Sequence, residues 1–236
     1  ATDPNGAAIN ADAATRLGSD TDLVQLGLAG NLRTFTFRSQ KSGQVVNGTQ
    51  VDYNGSPAGY ADQPDEVVTY VDAHDNETLF DSLTYKLPMA TSMQDRVRMN
   101  TLSLATTALA QTPSFWHAGA DLLRSKSLNR DSYDSGDWFN RLDWTGADNG
   151  FGHGLPPQGQ NAAKWPFMKP LLANPALKPT AADVRSADAM AQDLLRLRFS
   201  TKLFRPGNAA AINTKVTFPV SGTADGRQGG IVMRIH

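Results

Sequence analysis

A strand that is apolar on both of its faces is the feature that most restricts the fold of this chain. Residues 66–72, with the sequence EVVTYVD, are rich in β-branched and aromatic residues, which favours a strand. Its apolar side chains fall on both sides of the strand and are Val67, Val68, Tyr70 and Val71. Strands of this kind occur in parallel sheets that are covered on both faces. We therefore expect residues 66–72 to form a strand within a parallel α/β sheet.

The segment that follows predicts a helix and then a second strand. Residues 94–111 carry an apolar stripe at helical spacing, and Pro113 would end that helix. The stripe consists of Val97, Thr101, Leu104 and Ala108. Residues 113–119 then form a short apolar stretch typical of a strand. A strand, a helix and a strand joined in this way form a βαβ unit, so we expect the two strands to be parallel.

Two more helices and one irregular stretch are expected elsewhere. Residues 21–29 predict a short helix and residues 187–200 a longer one. The residues expected to be buried on the longer helix are Met190, Leu194, Leu195 and Leu197. Residues 145–183 contain Gly, Pro and Asn throughout and show little periodicity, as functional or disordered stretches do. Their aromatic residues argue against disorder.

The pattern changes beyond Pro206, where alternating apolar and polar residues predict strands. These strands are expected at residues 215–220 (KVTFPV) and 230–235 (GIVMRI). We therefore divide the chain into an α/β part, residues 1–205, and the beginning of an all-β domain, residues 206–236.

Charge and composition exclude several classes of partner and site. The net charge is −1 and no basic tract occurs, so there is no electrostatic case for binding nucleic acid. No apolar run reaches the roughly 18 residues of a membrane span. The absence of cysteine excludes disulfides and cysteine-ligated metals. The histidines have no metal-site spacing, and neither a phosphate-binding glycine motif nor a GxSxG nucleophile motif is present.

Six polar residues crowd the end of the first predicted strand: Asp72, His74, Asp75, Asn76, Glu77 and Asp81. In parallel α/β sheets, ligands bind and catalytic side chains project at this end. His74 and Asp75 place a hydrogen-bond donor beside a carboxylate, which suits sugar hydroxyls and a developing positive charge. The alternative is that Asp and Asn only end the strand, because both favour turns. The tripeptide HDN alone leaves both interpretations open.

A second polar and aromatic cluster follows the second predicted strand, at residues 117–144. Its flat aromatic side chains could cover sugar rings, and its charged side chains could bind vicinal hydroxyls. The aromatic candidates are Tyr133, Trp138, Phe139 and Trp144, and the charged ones are Arg130, Asp131, Asp137 and Arg141. For any single residue, a solvated loop with internal ion pairs is the commoner explanation. For the cluster as a whole, its position after the second strand favours a carbohydrate site.

Longer segments of the sequence resemble a known enzyme family. VVTYVDAHDNETLFD (67–81) resembles the strand-seven motif of the α-amylase clan of glycoside hydrolases. With YNGSPAGYADQPDE (53–66) before it and RSKSLNRDSYDSGDWFNR (124–141) after it, the match is to type I pullulanases and plant limit dextrinases. Further segments extend the resemblance over nearly the whole chain: LAGNL (28–32), GLPP (154–157), WPFMKPLLANPALKP (165–179) and LLRLRFSTKLFRPG (194–207).

The resemblance implies the C-terminal portion of a (β/α)₈ barrel followed by the start of a β-sandwich. Residues 66–119 would be strand seven, its helix and strand eight, and residues 206–236 would open the sandwich. The implied activity is hydrolysis of α-1,6 branch linkages in pullulan, amylopectin or limit dextrins, with retention of configuration. The implied partner is an α-glucan. The resemblance also implies an extracellular or periplasmic location.

Site residues are carried over onto the matching positions. Asp75 matches the family's third carboxylate, which binds the sugar at the cleavage point and stabilises the oxocarbenium-like transition state. The residues expected to bind substrate are His74, Asn76, Arg130, Asp131, Asp137 and Trp138. No cofactor is expected to be required. Many relatives bind calcium, but the chain offers no clear ligand set, so its metal ligands and its oligomeric state stay open.

One departure from the family pattern concerns the nucleophile and the general acid, which retaining glycosidases hold at short range. In this family both lie on earlier strands, and the residues before Glu66 match neither motif. We therefore expect a fragment that is inactive and poorly stable alone. Two alternatives are kept: a clan member acting on α-1,4-glucans, and a non-catalytic glucan-binding remnant.

Overall fold

The computed structural model describes residues 12–236, in which helices dominate the regular structure. The helices are α1 (Ala13–Leu28), α2 (Leu79–Lys86), α3 (Met93–Ala108), α4 (Asp137–Asn140), α5 (Gln158–Asn161), α6 (Trp165–Leu172), α7 (Ala181–Ser200) and α8 (Ala209–Lys215). The strands are β1 (Thr36–Arg38), β2 (Val45–Asn47), β3 (Asp52–Tyr53), β4 (Ser56–Pro57), β5 (Val216–Thr217) and β6 (Arg234–Ile235). They form three antiparallel pairs, β1–β2, β3–β4 and β5–β6. None of the helices in this part of the chain is long and apolar enough to cross a membrane.

The described residues fall into two compact units, each built from separate stretches of sequence. The first unit contains residues 70–105 and 116–195. The second contains residues 12–69, 106–115 and 196–236. The proposed division of the chain at residue 206 stays a prediction.

The first unit is held together by an apolar core between α2, α3, α6 and α7. Its central residues are Phe80, Val97, Leu123, Leu128, Phe151, Met168, Leu171, Leu177, Val184 and Ala187. Phe80 and Phe151 pack edge to face with ring centroids 5.9 Å apart. Two of these core residues, Leu123 and Leu128, belong to an irregular loop, which is thereby fixed to the helices.

The second unit packs α1, α8 and the short strands around a group of three phenylalanines. Phe35 stacks on Phe37 with centroids 6.0 Å apart, and Phe218 meets Phe35 edge-on at 5.9 Å. Arg198, near the end of α7, is buried in the same unit. Its guanidinium donates to the carbonyl oxygens of Ala108 (2.7 Å), Ala110 (2.8 Å) and Thr112 (2.7 Å).

The helix predictions are confirmed, with shifted bounds. The helix expected at residues 94–111 is α3, and Val97, Leu104 and Ala108 are buried as its stripe predicted. The helix expected at 187–200 begins earlier, at Ala181, because Thr180 and Asp183 form a reciprocal cap. The stretch 145–183 is less irregular than its composition indicated, since it contains α5 and α6.

Two of the leucines expected to be buried on α7 are exposed. Leu195 and Leu197 face solvent, whereas Met190 and Leu194 pack against the core of the first unit. The prediction for Leu195 and Leu197 is wrong because periodicity marks an apolar face without saying whether anything covers it.

The strand expected at residues 66–72 is reduced to a single parallel bridge between Thr69 and Ser114. Its hydrogen bonds run from the Thr69 amide to Pro113 O (3.0 Å) and from the Phe115 amide to Thr69 O (2.9 Å). The parallel direction predicted for a βαβ unit is therefore confirmed, but the continuous strand is not. Val68 and Tyr70 are more than half-exposed, so the prediction that both faces are covered is wrong for the described residues.

The strands expected at 215–220 and 230–235 are also shorter than predicted. Lys215 ends α8, and only Val216–Thr217 and Arg234–Ile235 pair. Phe218 turns into the phenylalanine core, and Pro219 lacks the amide that a strand would need there.

Candidate active site

A fully buried carboxylate on α2 anchors the irregular loop that follows Arg124. Asp81 accepts hydrogen bonds from the Ser125 hydroxyl and from the backbone amides of Lys126 (2.8 Å) and Leu128 (3.2 Å). Ser127 and Leu128 have φ angles of 53° and 67°, a left-handed conformation that is strained for residues other than glycine. The hydrogen bonds to Asp81 therefore hold the loop in a conformation that it would otherwise avoid.

The environment of Asp81 also changes its acidity. Burial raises the pKa of the Asp81 carboxyl to about 6, although its hydrogen bonds and the nearby Lys126 charge oppose that rise. Desolvation disfavours the charged form of a carboxyl and is the larger effect here. Asp81 is thus an anchor that titrates well above the ordinary range of an aspartate.

Lys126 connects this anchored loop to two of the predicted site segments. Its ammonium donates to the backbone oxygens of His74 (3.3 Å), Asn76 (2.8 Å) and Arg130 (3.1 Å). Burial lowers the pKa of Lys126, while the charge of Asp81 acts to raise it. One buried side chain therefore brings the loop at residues 74–76 next to Arg130.

His74 and Asp75 point their functional groups towards solvent. His74 Nδ1 lies 3.2 Å from Asp75 Oδ1, and the two side chains are 87% and 76% exposed. Asn76 follows in a left-handed conformation, with a φ of 65°. The segment thus presents an imidazole and a carboxylate side by side on a bent backbone, which is an arrangement that can bind a polyhydroxylated ligand.

Glu77 forms an ion pair that also connects the 74–77 segment to Arg130. Its carboxylate lies 3.2 Å from Arg130 Nη1 and 2.7 Å from Lys164 Nζ. Burial opposes ionisation of Glu77, but the hydrogen bond from Lys164, the backbone and the two positive charges outweigh it and lower the pKa. Arg130 also faces Asp131 at 3.8 Å. The structure therefore brings Arg130 and Asp131 together with the segment that carries His74 and Asp75.

A partly buried chain of polar groups supports the end of the first predicted strand. Asp72 Oδ2 accepts from the Leu79 amide (3.0 Å) at the start of α2 and lies 3.4 Å from His117 Nδ1. Arg124 Nη1 lies 3.3 Å from His117 Nε2, and its other terminal nitrogen donates to Asn140 O (2.6 Å). Asp72 thereby fixes the geometry of the segment that precedes His74 instead of facing a ligand.

Asp137 and Trp138 line an open cavity of about 370 Å³ together with Asn140 and Arg141. The Trp138 indole is 57% exposed and donates from Nε1 to His153 O at 2.6 Å. Its ring lies 4.9 Å from the His153 ring at an angle of 32°, and His153 in turn contacts the Asp148 carboxylate. The tryptophan therefore presents a supported aromatic face at the cavity.

The sequence pattern does not distinguish Lys126 and Arg124 from other loop residues, and it shows Asp81 only as a neighbour of the HDN segment. Their spacing carries no recognisable signal, because their contacts depend on how the loop at residues 122–130 folds back on α2. No group of three or more His, Asp or Glu within residues 12–236 is arranged to hold a metal ion.

Comparison with known proteins gives a consistent match. Residues 146–236 match the family described as "Alpha-1,6-glucosidases, pullulanase-type, C-terminal". The chain is 43% identical over 213 residues to pullulanase 1, chloroplastic, of Arabidopsis thaliana, covering 90% of this chain and 22% of that protein. It is 40% identical over 236 residues to a pullulanase of Klebsiella aerogenes, covering 98% of this chain and 21% of that protein.

A solved structure matches equally well. The maltotriose complex of PulA from Klebsiella pneumoniae superposes with a TM-score of 0.92 and 39% identity, over 100% of this chain and 25% of that one. The chain thus spans about a quarter or less of the length of these relatives. These matches place the chain in the pullulanase family.

Proposed function

We propose that this chain is the part of a debranching glycoside hydrolase that holds the α-glucan at the point of cleavage. The reaction is hydrolysis of α-1,6 linkages in pullulan, amylopectin or limit dextrins, with retention of configuration. The observation that carries this proposal is the match, over the whole chain, to a pullulanase solved with maltotriose.

The geometry of His74 and Asp75 supports this role. Both side chains are exposed and adjacent, while the backbone beneath them is held by Lys126. A fixed carboxylate facing the reacting sugar would stabilise the positive charge that develops in an oxocarbenium-like transition state. We assign this catalytic role to Asp75, and we assign sugar-hydroxyl binding to His74 and Asn76.

The neighbouring sugar positions are assigned to the second cluster. Arg130 and Asp131 would bind hydroxyl groups beside the cleavage point, since Arg130 is tied to the 74–77 segment through Glu77. Asp137 and Trp138 would bind the next sugar, because their cavity offers a carboxylate next to an exposed aromatic face.

The nucleophile and the general acid are proposed to lie outside these 236 residues. Retaining glycosidases place two carboxyl groups about 5–5.5 Å apart on either side of the scissile bond. The carboxylates nearest to Asp75 in sequence are engaged elsewhere: Asp72 with the Leu79 amide, Glu77 with two cations, and Asp81 with its loop. They are therefore unsuited to serve as the second catalytic carboxylate.

The test is Asp75→Asn in the longer protein that carries this chain, assayed on pullulan. We expect kcat to fall about 100-fold or more, as when a transition-state contact is removed, while KM changes far less. Asp65→Asn, at an exposed position outside both clusters, is the matched control. Near-normal kcat for Asp75→Asn would remove the catalytic assignment.

Substrate class is tested separately by comparing pullulan with amylose. Preference for pullulan supports α-1,6 specificity, whereas preference for amylose identifies a clan member that acts on α-1,4 linkages. A longer protein that binds maltotriose but hydrolyses neither polymer would be a glucan-binding remnant.

A further inference from the structure

We infer that Lys126 is a positioning residue that sets the 74–76 segment against Arg130 and thereby aims the catalytic carboxylate. This inference rests on the proposed function, because it concerns the same site. Lys126 is only 2% exposed and does not itself face the open side where His74 and Asp75 lie. Its effect on the reaction is therefore expected to be indirect.

The hydrogen bonds of Lys126 are saturated. An ammonium has three N–H donors, and the three acceptors around Lys126 are the backbone oxygens of His74, Asn76 and Arg130, at 3.3, 2.8 and 3.1 Å. Since every donor is used by a backbone carbonyl, the group has no free donor with which to act as a proton donor to substrate. What the contacts can do is fix the relative positions of the segments that contribute these carbonyls.

The backbone of Lys126 is itself held in place by a hydrogen bond. The side chain can therefore set the positions of the carbonyl groups that it contacts. The Lys126 amide donates to the buried Asp81 carboxylate at 2.8 Å, so the side chain extends from a fixed point. Its shortest contact is to the carbonyl oxygen of Asn76, which has a left-handed φ of 65°, a conformation that asparagine tolerates better than most residues. Lys126 therefore stabilises the bend that immediately follows Asp75.

A neutral side chain of similar size would fit the space but could not hold the segments. The acceptors are backbone carbonyls and not a carboxylate, so the buried charge is not needed to neutralise a partner at hydrogen-bond distance. Burying an ammonium is unfavourable compared with burying an apolar side chain. The ordering of three carbonyls is the interaction that an apolar residue would lose.

The experiment compares Lys126→Met with the exposed control Lys86→Met in the longer protein, using pullulan. Displacing a reacting group by about 1 Å costs on the order of 100-fold in rate. We therefore expect kcat to fall about 100-fold in Lys126→Met with a smaller change in KM, and no change in Lys86→Met. Circular dichroism and thermal unfolding show whether each variant is folded. A folded Lys126→Met protein with unchanged kcat would overturn the inference.

A double-mutant cycle separates positioning from general loss of structure. If Lys126 acts by aiming Asp75, then Lys126→Met should cost far less in an Asp75→Asn background than in the wild type. Equal costs in the two backgrounds would overturn the inference and leave the proposed function standing. If Asp75→Asn alone has no effect, the proposed function fails, and the inference fails with it.

A second variant covers the case in which Lys126→Met does not fold. Lys126→Arg keeps a buried charge and several N–H donors but moves the donors along a longer side chain. We expect a folded protein whose kcat is reduced while maltotriose binding, measured by calorimetry, changes less. The positioning role would be contradicted if Lys126→Arg has the kcat of the wild type and if its effect simply adds to that of Asp75→Asn in a double-mutant cycle.

Discussion

The carboxylate of Asp81 accepts a hydrogen bond from the backbone amide of Lys126 at 2.8 Å, and Asp81 has no exposed surface. The same carboxylate holds Ser125 and Leu128, so one buried acid organises the loop from which the Lys126 side chain reaches the candidate site. The stability of the first unit should therefore depend on the protonation of this single group.

The first prediction concerns that pH dependence. The folded-state pKa of Asp81, about 6, lies above its ordinary value of 3.8, so the folded protein binds the proton more tightly than the unfolded chain. The stability from this group is thus fully present below pH 3.8 and is lost as pH rises through 6. The full contribution of Asp81 protonation to the free energy of unfolding is about 3 kcal/mol, of which about 2 kcal/mol should be lost between pH 4 and pH 7.

Asp81→Asn is the variant that isolates this effect, because its amide can keep hydrogen bonds to Ser125 and to one or both backbone amides without ionising. We expect the wild type to lose about 2 kcal/mol relative to Asp81→Asn between pH 4 and pH 7, measured by urea unfolding. Exposed Asp134 provides the control substitution. A difference between wild type and Asp81→Asn that does not vary with pH would show that Asp81 keeps an ordinary pKa.

The second prediction concerns Arg198, whose guanidinium binds three backbone carbonyls at the end of α3 and in the residues that follow it. Arg198→Met would leave the oxygens of Ala108, Ala110 and Thr112 without these donors. Because unsatisfied buried carbonyls are costly, we expect a loss of about 3 kcal/mol in the free energy of unfolding. Arg185→Met, at an exposed position of the same helix, should change it by less than about 0.5 kcal/mol. Equal effects of the two substitutions would contradict this role for Arg198.

The third prediction concerns the isolated 236-residue chain. Purified alone, it should not hydrolyse pullulan, because Asp75 has no available carboxylate partner among its neighbours to act as the nucleophile. The measurement is release of reducing sugar from pullulan over several hours, with a pullulanase of known activity as the positive control. Turnover near that of an intact pullulanase would contradict the proposal that the nucleophile and acid lie elsewhere.

Periodicity predicts the three longest helices of the described residues, α1, α3 and α7, but not the five shorter ones or the extent of the strands. The apolar stripe on α3 is sufficient to predict that helix, because i, i+3 and i+4 spacing is a local property of the sequence. Val97 and Leu104 are buried as expected. A strand depends on pairing partners that are distant in sequence. The EVVTYVD segment has strong β-propensity, yet only Thr69 finds a partner among the described residues.

The candidate site likewise contains residues that the sequence could predict and residues that it could not. The exposed pair His74 and Asp75 could be proposed from the HDN segment because its chemistry is visible in the residue types. The supporting residues Lys126 and Arg124 could not, because a lysine or an arginine in a polar loop usually faces solvent. Only the fold shows that Lys126 turns inward onto three carbonyls.

The fourth prediction concerns Trp138 and the cavity that it lines. Trp138→Ala removes the exposed aromatic face and also the hydrogen bond to His153 O, so it should weaken maltotriose binding by about tenfold in the longer protein. Trp138→Phe keeps an aromatic face but loses the hydrogen bond, and we expect it to bind within about threefold of wild type, since an exposed hydrogen bond contributes little. Calorimetric titration with maltotriose measures both. Equal weakening in the two variants would show that Trp138 acts by supporting His153 and not by covering a sugar ring.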